Sequence, residues 1–356
     1  AVELPRYRGD WPDWWSDGLG SAPRELAAAR ITQDRLTAVE SLLALHSLAG
    51  AAVPPALLTR LDRAREQLVI YGEHTYGAAE SVRDPGAENT QVQWAEKSAF
   101  VGDAVKETAM LEEAALGLLQ PVLPRSDAAT ITVVNTLGWA RDGLARVFID
   151  KELLPPGRAF RVLGDRGAEV PAQLWKAQHD GNWWALHARD LPACGWRSFR
   201  LELLDSEDAW SRPVDVSGRL ENGHYRLQVD PARGGLVSLY DKELGRELVD
   251  AGAEWGFGQL IHEQLGNRWQ LERFRLDDFR RDGLAPLRLE PGADGPLWTS
   301  LFLRGESDLA PEANGVEVEV RLYHHEKKLE FRYRLRKRPE TAPEGPYAAF
   351  PFALDG

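Results

Sequence analysis

A chain of 356 residues, 43% hydrophobic and 28% charged, is long enough to bury the cores of two domains or three. Its formal net charge of −12 argues against nucleic acid and anionic membrane as partners, because both repel an acidic surface. The single cysteine, Cys194, excludes an intrachain disulfide, and the sequence holds neither an apolar run long enough to span a bilayer nor a signal-peptide pattern at its start. A cytoplasmic location is therefore expected. The chain opens on Ala1 rather than Met and stops after an apolar run from Tyr347 to Leu354, which is read as an excision from a longer protein.

The first segment, Gly9-Asp10-Trp11-Pro12-Asp13-Trp14-Trp15-Ser16-Asp17-Gly18, alternates carboxylates with tryptophans. Ser21 can then cap a helix with Pro23 in its first turn, where a missing amide proton costs little. Leu36, Val39, Leu43 and His46 recur at helical spacing and share one face. Ala49 to Pro55 breaks that helix and starts a second, whose stripe is Leu57, Leu61, Ala64, Leu68 and Tyr71, with Asp62, Arg63, Arg65 and Glu66 turned away. It runs into Tyr71-Gly72-Glu73-His74-Thr75-Tyr76-Gly77, an acid, an imidazole and two phenols between glycines. A third helix follows, with Thr90 and Gln93 at capping-box spacing and Trp94, Val101 and Val105 as its inward seam. Pro121 and Pro124 end it. Three long amphipathic helices with short connections predict an antiparallel bundle.

The period changes after Arg125. Thr130 to Asn135 and Leu144 to Ile149 are β-branched runs. Tyr225, Leu227 and Val229 alternate with polar neighbours, as do Val316, Val318, Val320 and Leu322, and Leu329, Phe331, Tyr333 and Leu335. Alternation of this kind predicts strands with one wet face. Pro155-Pro156-Gly157, Asp230-Pro231 and Pro291-Gly292 read as the turns of an antiparallel sheet. The expected fold is multidomain α+β, a three-helix antiparallel bundle followed by a large antiparallel β-sandwich. The boundaries are a Trp/Asp segment over 1–20, the bundle over 21–125 and the sandwich over 126–356, with a sub-boundary near 205–217.

The eight histidines show no spacing of a complete metal site. His324-His325, ahead of Glu326-Lys327-Lys328, reads as a solvated hairpin, and His179 and His187 flank a second turn at Asp180-Gly181-Asn182. His74 has two readings: a metal ligand oriented by Glu73, or a helix-end histidine favoured by the macrodipole. The aspartates and tryptophans of the first segment also have two. Tryptophan faces stack on sugar rings while carboxylates bind hydroxyls or protonate a leaving oxygen, or else the tryptophans seal the bundle and the aspartates make turns. Trp183, Trp184, Trp255 and Trp269 lie in strand-like context and read as core or rim. A phosphate loop, a nucleophile elbow and a Cys-x-x-Cys pair are absent from the sequence.

Four stretches carry a resemblance to one family. They are Asp13-Trp14-Trp15-Ser16-Asp17-Gly18 with Ser21-Ala22-Pro23, the Tyr71–Gly77 cluster, Val134-Asn135-Thr136-Leu137-Gly138-Trp139-Ala140-Arg141, and Leu220-Glu221-Asn222-Gly223-His224-Tyr225 with Gly235 to Lys242. In order and spacing they resemble the middle and C-terminal parts of family 38 glycoside hydrolases, the zinc-dependent retaining α-mannosidases. The resemblance implies a galactose-mutarotase-like sandwich, a carbohydrate substrate and a missing N-terminal catalytic domain. It implies His74 as a zinc ligand, Asp13 as the acid/base, and Trp14, Trp15, Glu73 and Thr75 as substrate contacts. Glu73 and Thr75 stand where better-known members have His and Asp. The family's His-x-Asp metal pair occurs nowhere in this chain, so the resemblance implies half a site, inactive alone. The alternative is a carbohydrate-binding or structural assembly module without catalysis.

Overall fold

The computed structural model describes residues 22–73, 81, 83–207, 216–273 and 275–354. They divide into two compact units. One holds the described residues up to Ser126 with Val134–Ala140 and Pro192–Trp196; the other holds Asp127–Val133, Arg141–Leu191 and the described residues from Arg197 on.

Three helices build the first unit: α1 (Pro23–Leu48), α2 (Pro55–Tyr71) and α3 (Glu88–Leu119). The first two begin on proline, whose fixed φ suits a first helical position. Leu36, Val39 and Leu43 of α1, Leu61, Ala64, Leu68 and Tyr71 of α2, and Val101, Ala104, Leu111 and Ala115 of α3 share one core. His46 is buried with them. The ion pairs Arg60–Glu107 and Glu73–Lys97 run in opposite senses along α2 and α3, so these two helices are antiparallel. The stripes read from sequence are buried as expected in α1 and α2, except that Leu57 near the start of α2 is only half-buried. In α3 two expectations fail. The N-cap position is Ala87, so Thr90 lies buried inside the helix and Gln93 reaches Asn89 rather than closing a cap. Trp94 is 37% exposed, because the buried seam passes through Thr90, Val101, Ala104 and Thr108 instead. Ser21, the expected cap of α1, lies outside the described residues.

The strands follow in order: β1 (Thr130–Asn135), β2 (Arg141–Asp150), β3 (Arg158–Leu163), β4 (Glu169–Val170), β5 (Ala172–Ala177), β6 (Gly181–Leu191), β7 (Gly195–Glu207), β8 (Arg219–Glu221) and β9 (Tyr225–Asp230). After them come β10 (Gly235–Asp241), β11 (Arg246–Glu247), β12 (Leu260–Gln264), the short helix α4 (Arg268–Glu272), β13 (Arg280–Gly283), β14 (Arg288–Asp294), β15 (Trp298–Gly305), β16 (Val316–Tyr323), β17 (Leu329–Leu335) and β18 (Glu344–Ala348). Their sheets have the orders β1-β7-β3-β4, β2-β6-β5, β11-β10-β9-β8, β13-β12-β18 and β14-β15-β16-β17.

In the second unit, β2-β6-β5 buries Ile149, Ala172, Trp184 and Leu186 against Phe160, Val162, Phe199 and Leu201 of β3 and β7. A second core joins Leu227, Val229, Leu236 and Leu239 to Leu260, Leu301, Leu303, Val318, Val320 and Leu322. A small third core, Ala185, Leu297, Trp298 and Tyr323, ties β6 to β15 and β16.

Pro291-Gly292 is no turn. It lies inside β14, where the register to β15 shifts, and a Cβ at Gly292 would meet Ser300 Oγ at 2.4 Å. A glycine there marks close backbone approach rather than a chain reversal. The alternation in β16 also misleads, because Glu319 and Arg321 on its polar face are buried as well. Trp269 lies on α4 rather than on a strand, and is 41% exposed with the guanidinium groups of Arg273 and Arg275 over its ring. The expected break near 205–217 falls largely on residues outside those described.

Candidate functional site

Glu73 stands just past the C-terminal end of α2, where Gly72 closes the helix by donating to Leu68 and Val69 carbonyls. Tyr71 anchors that end in the helical core. The Glu73 carboxylate pairs with Lys97 of α3 at 2.8 Å, and the same ammonium donates to the Glu73 carbonyl at 3.1 Å. The carboxylate is thus held at the rim of the helices and remains half exposed. It is the one residue of the expected site that can be placed. Asp13, Trp14, Trp15, His74 and Thr75 lie outside the described residues. Among the described residues no group of three or more histidine, cysteine or carboxylate side chains could hold a metal ion, so they do not by themselves fit a zinc centre.

The other quoted stretches fold into structural devices. The Asn135 amide donates to the carbonyls of Trp139 and Pro192 while its oxygen accepts from Leu137 N, so Asn135 shapes the turn before Arg141. Asn222 repeats the pattern: its oxygen accepts from the amides of His224 and Tyr225 at 2.8 and 2.7 Å, and its amide group donates to the Tyr323 carbonyl. Lys242 donates to the Asn222 carbonyl and pairs with Glu221. Asp241, buried, accepts from the amides of Leu244 and Glu243 and pairs with Lys327 at 3.0 Å. The Leu244 amide first, and then Lys327, hold its carboxyl below the usual carboxylate range against the cost of burial. Residues 220–242 therefore form a three-stranded antiparallel meander tied to the end of β16 and the turn that follows it.

Residues 220–353 match the family model described as the glycosyl hydrolases family 38 C-terminal domain. Over those residues the chain is similar to that family's C-terminal domain. A structure of a glycosyl hydrolase family 38 protein from Enterococcus faecalis superposes with a TM-score of 0.58 at 13% identity, covering 89% of this chain and 44% of that one. An alpha-mannosidase structure from Enterococcus faecalis V583 gives 0.57 at 13% identity, covering 90% and 42%. At this identity the likeness is one of fold. The chain spans less than half the length of either structure. A comparison with curated proteins returned no match.

Within and beside residues 220–353, sequence reasoning missed a polar seam. Gln173 of β5 donates to the Trp298 carbonyl at 3.1 Å and accepts from the amides of Leu297 and Trp298 at 2.8 and 3.0 Å. Arg321 makes a buried ion pair with Glu319 and lies against the rings of both Trp175 and Trp298, its guanidinium carbon 4.8 and 4.4 Å from their centroids. Beside it the Tyr323 hydroxyl donates to Glu330, and burial first, with that bond, pushes its pKa up to about 12. His324-His325 is not simply a solvated hairpin. His325 is exposed on its outer side, yet its ring stacks on that of buried His187 at 4.6 Å and 7°. The partners lie more than a hundred residues apart in sequence, and no local pattern pairs them.

Proposed function

We propose that the chain is the helical and β-rich portion of a zinc-dependent retaining α-mannosidase-like glycoside hydrolase. The match of residues 220–353 to the family 38 C-terminal domain carries this reading, supported by the shared fold over 89% of the chain. On this reading residues 1–20 end a catalytic domain supplied by the rest of a longer protein. Residues 21–125 are a three-helix antiparallel bundle, and 126–356 a galactose-mutarotase-like sandwich with a division near 205–217. Asp13 protonates the leaving glycosidic oxygen and then activates water, as the acid/base of a retaining glycosidase does. Trp14 and Trp15 stack on the sugar, and Glu73 and Thr75 accept from its hydroxyls. His74, beyond the capped end of α2, contributes one zinc donor. The described residues hold no group of three or more such donors, so zinc would complete its shell elsewhere in the longer protein and there polarise the substrate.

The purified 356-residue chain is expected to release no measurable phenol from an aryl α-mannoside, with or without added zinc. Turnover by the chain alone would overturn the half-site reading. Saturable sugar binding that survives both Asp13→Ala and His74→Ala would instead favour a carbohydrate-binding or assembly module. No described helix is long and apolar enough to cross a membrane.

A further inference from the structure

We propose that the stacked imidazoles of His187 and His325 form an acid-sensitive clasp that holds the β16–β17 turn against β6. All of its parts lie within the second unit. His187 sits on β6 at 4% exposure, and His325 reaches it from the turn between β16 and β17, with ring centroids 4.6 Å apart and planes 7° from parallel. Arg189 Nε donates to His187 Nδ1 at 3.3 Å. That bond requires an unprotonated Nδ1, so the His187 ring is neutral with its proton on Nε2. Adding a proton replaces the acceptor by a second N–H facing the guanidinium. It also places a cation beside Arg189 and, once His325 is charged, against a parallel imidazolium.

The surrounding charges do not compensate. Arg189 and His325 act on His187 in the same sense as its burial, which lowers its pKa first and most; Asp142 of β2 opposes them. The Asp142 carboxylate is already engaged by the Asp190 amide at 2.7 Å. For His325, burial leads and Arg189 adds to it, against support from the backbone at Pro296. His324 is displaced the same way, chiefly by burial, with Asp294 of β14 opposing. Its Nε2 lies 3.1 Å from Thr299 Oγ1, which donates to Asp294.

The linkage has one sign. With folded-state pKa values below the ordinary 6.5, the closed clasp binds fewer protons than the open one as pH falls from 6.5 toward the folded values, so closure weakens with acid. The consequence reaches past the two rings. The same turn carries Lys327, which pairs with Asp241 and Glu243, and it follows directly on Tyr323 at the end of β16, whose carbonyl receives the Asn222 amide. Opening the clasp loosens these contacts to residues 220–242.

Hydrogen exchange by mass spectrometry on the 356-residue chain, corrected for intrinsic rate, tests this at pH ~7.5 and ~5.5. Protection of peptides from β6 and from the β16–β17 turn is expected to fall at least about fivefold at the lower pH, while α1 changes little. His325→Phe keeps a stacking ring without a titrating nitrogen, so it should reduce that loss, and His187→Phe combined with it should abolish it. Protection unchanged between the two pH values, or an equal loss in His325→Phe, would overturn the proposal. His325 is exposed and its replacement tolerable, so the test stands even if the double variant fails to fold.

Discussion

Gln173 is 5% exposed and satisfies three backbone groups of the Leu297–Trp298 segment with one amide, which no other common side chain does in that shape. Gln173→Ala would leave a buried carbonyl and two amides unpaired, and a loss of about 3 kcal/mol is expected in a urea titration followed by tryptophan fluorescence. Gln173→Glu should be no better, because a carboxylate cannot donate to the Trp298 carbonyl and adds a buried charge. Glu247 makes a second residue-scale case. Burial works to raise its carboxyl, but the Ser238 hydroxyl and the amides of Leu239, Val249 and Leu248 outweigh it and hold it below the ordinary 4.5. Its stabilisation is therefore present above pH 4.5 and lost as pH falls through the folded value. The stability gap between the native chain and Glu247→Gln, about 1 kcal/mol near neutrality, should close over that acid range in urea midpoints taken at successive pH values. Neither residue was legible in the sequence. The partners of Gln173 are set by the packing of two sheets, not by neighbours in the chain.

Elements were easier to read where their order is local. The helical stripes of α1 and α2 depend on contacts at three- and four-residue spacing, and Leu36, Val39, Leu61, Ala64 and Leu68 are buried as that spacing requires. The start of α3 was misread because Thr90 and Gln93 mimic a cap while the true start lies earlier, at Glu88. Truncating a residue of the true seam should show the difference. Leu111→Ala, at a fully buried position, is expected to cost about 3 kcal/mol, and Trp94→Ala under about 1 kcal/mol, in thermal unfolding followed by helical circular dichroism. Equal losses would contradict the seam. In the sheets, glycine and proline signals divided into turns and close approaches, which composition alone does not separate. Gly234 turns the chain between β9 and β10, whereas Gly292 lets β14 meet Ser300. Gly258 does both: its φ is +79°, and a Cβ would lie 2.2 Å from Phe331 Cε1. Gly258→Ala is expected to destabilise by about 3 kcal/mol through left-handed strain and overpacking together, read as a fall in urea midpoint.

At the scale of the molecule, the quoted family stretches served as an address more than as a site. Asn135, Asn222 and Asp241 stood out because their side chains are spent on backbone amides, which fixes residue type as firmly as chemistry does. Their order pointed to family 38, and the match over 220–353 agrees with it. The residues proposed for chemistry are mostly those at Asp13 to Trp15 and at His74 and Thr75, outside the described residues; Glu73, paired with Lys97, marks where the second group begins. The most direct test is the zinc content and aryl α-mannosidase activity of the longer parent protein beside its His74→Ala variant. Both are expected to fall together, with loss of the metal accompanying loss of turnover. Unchanged zinc and an unchanged rate would make His74 a helix-end residue and contradict the claim that this chain forms one wall of a metal-dependent glycosidase site.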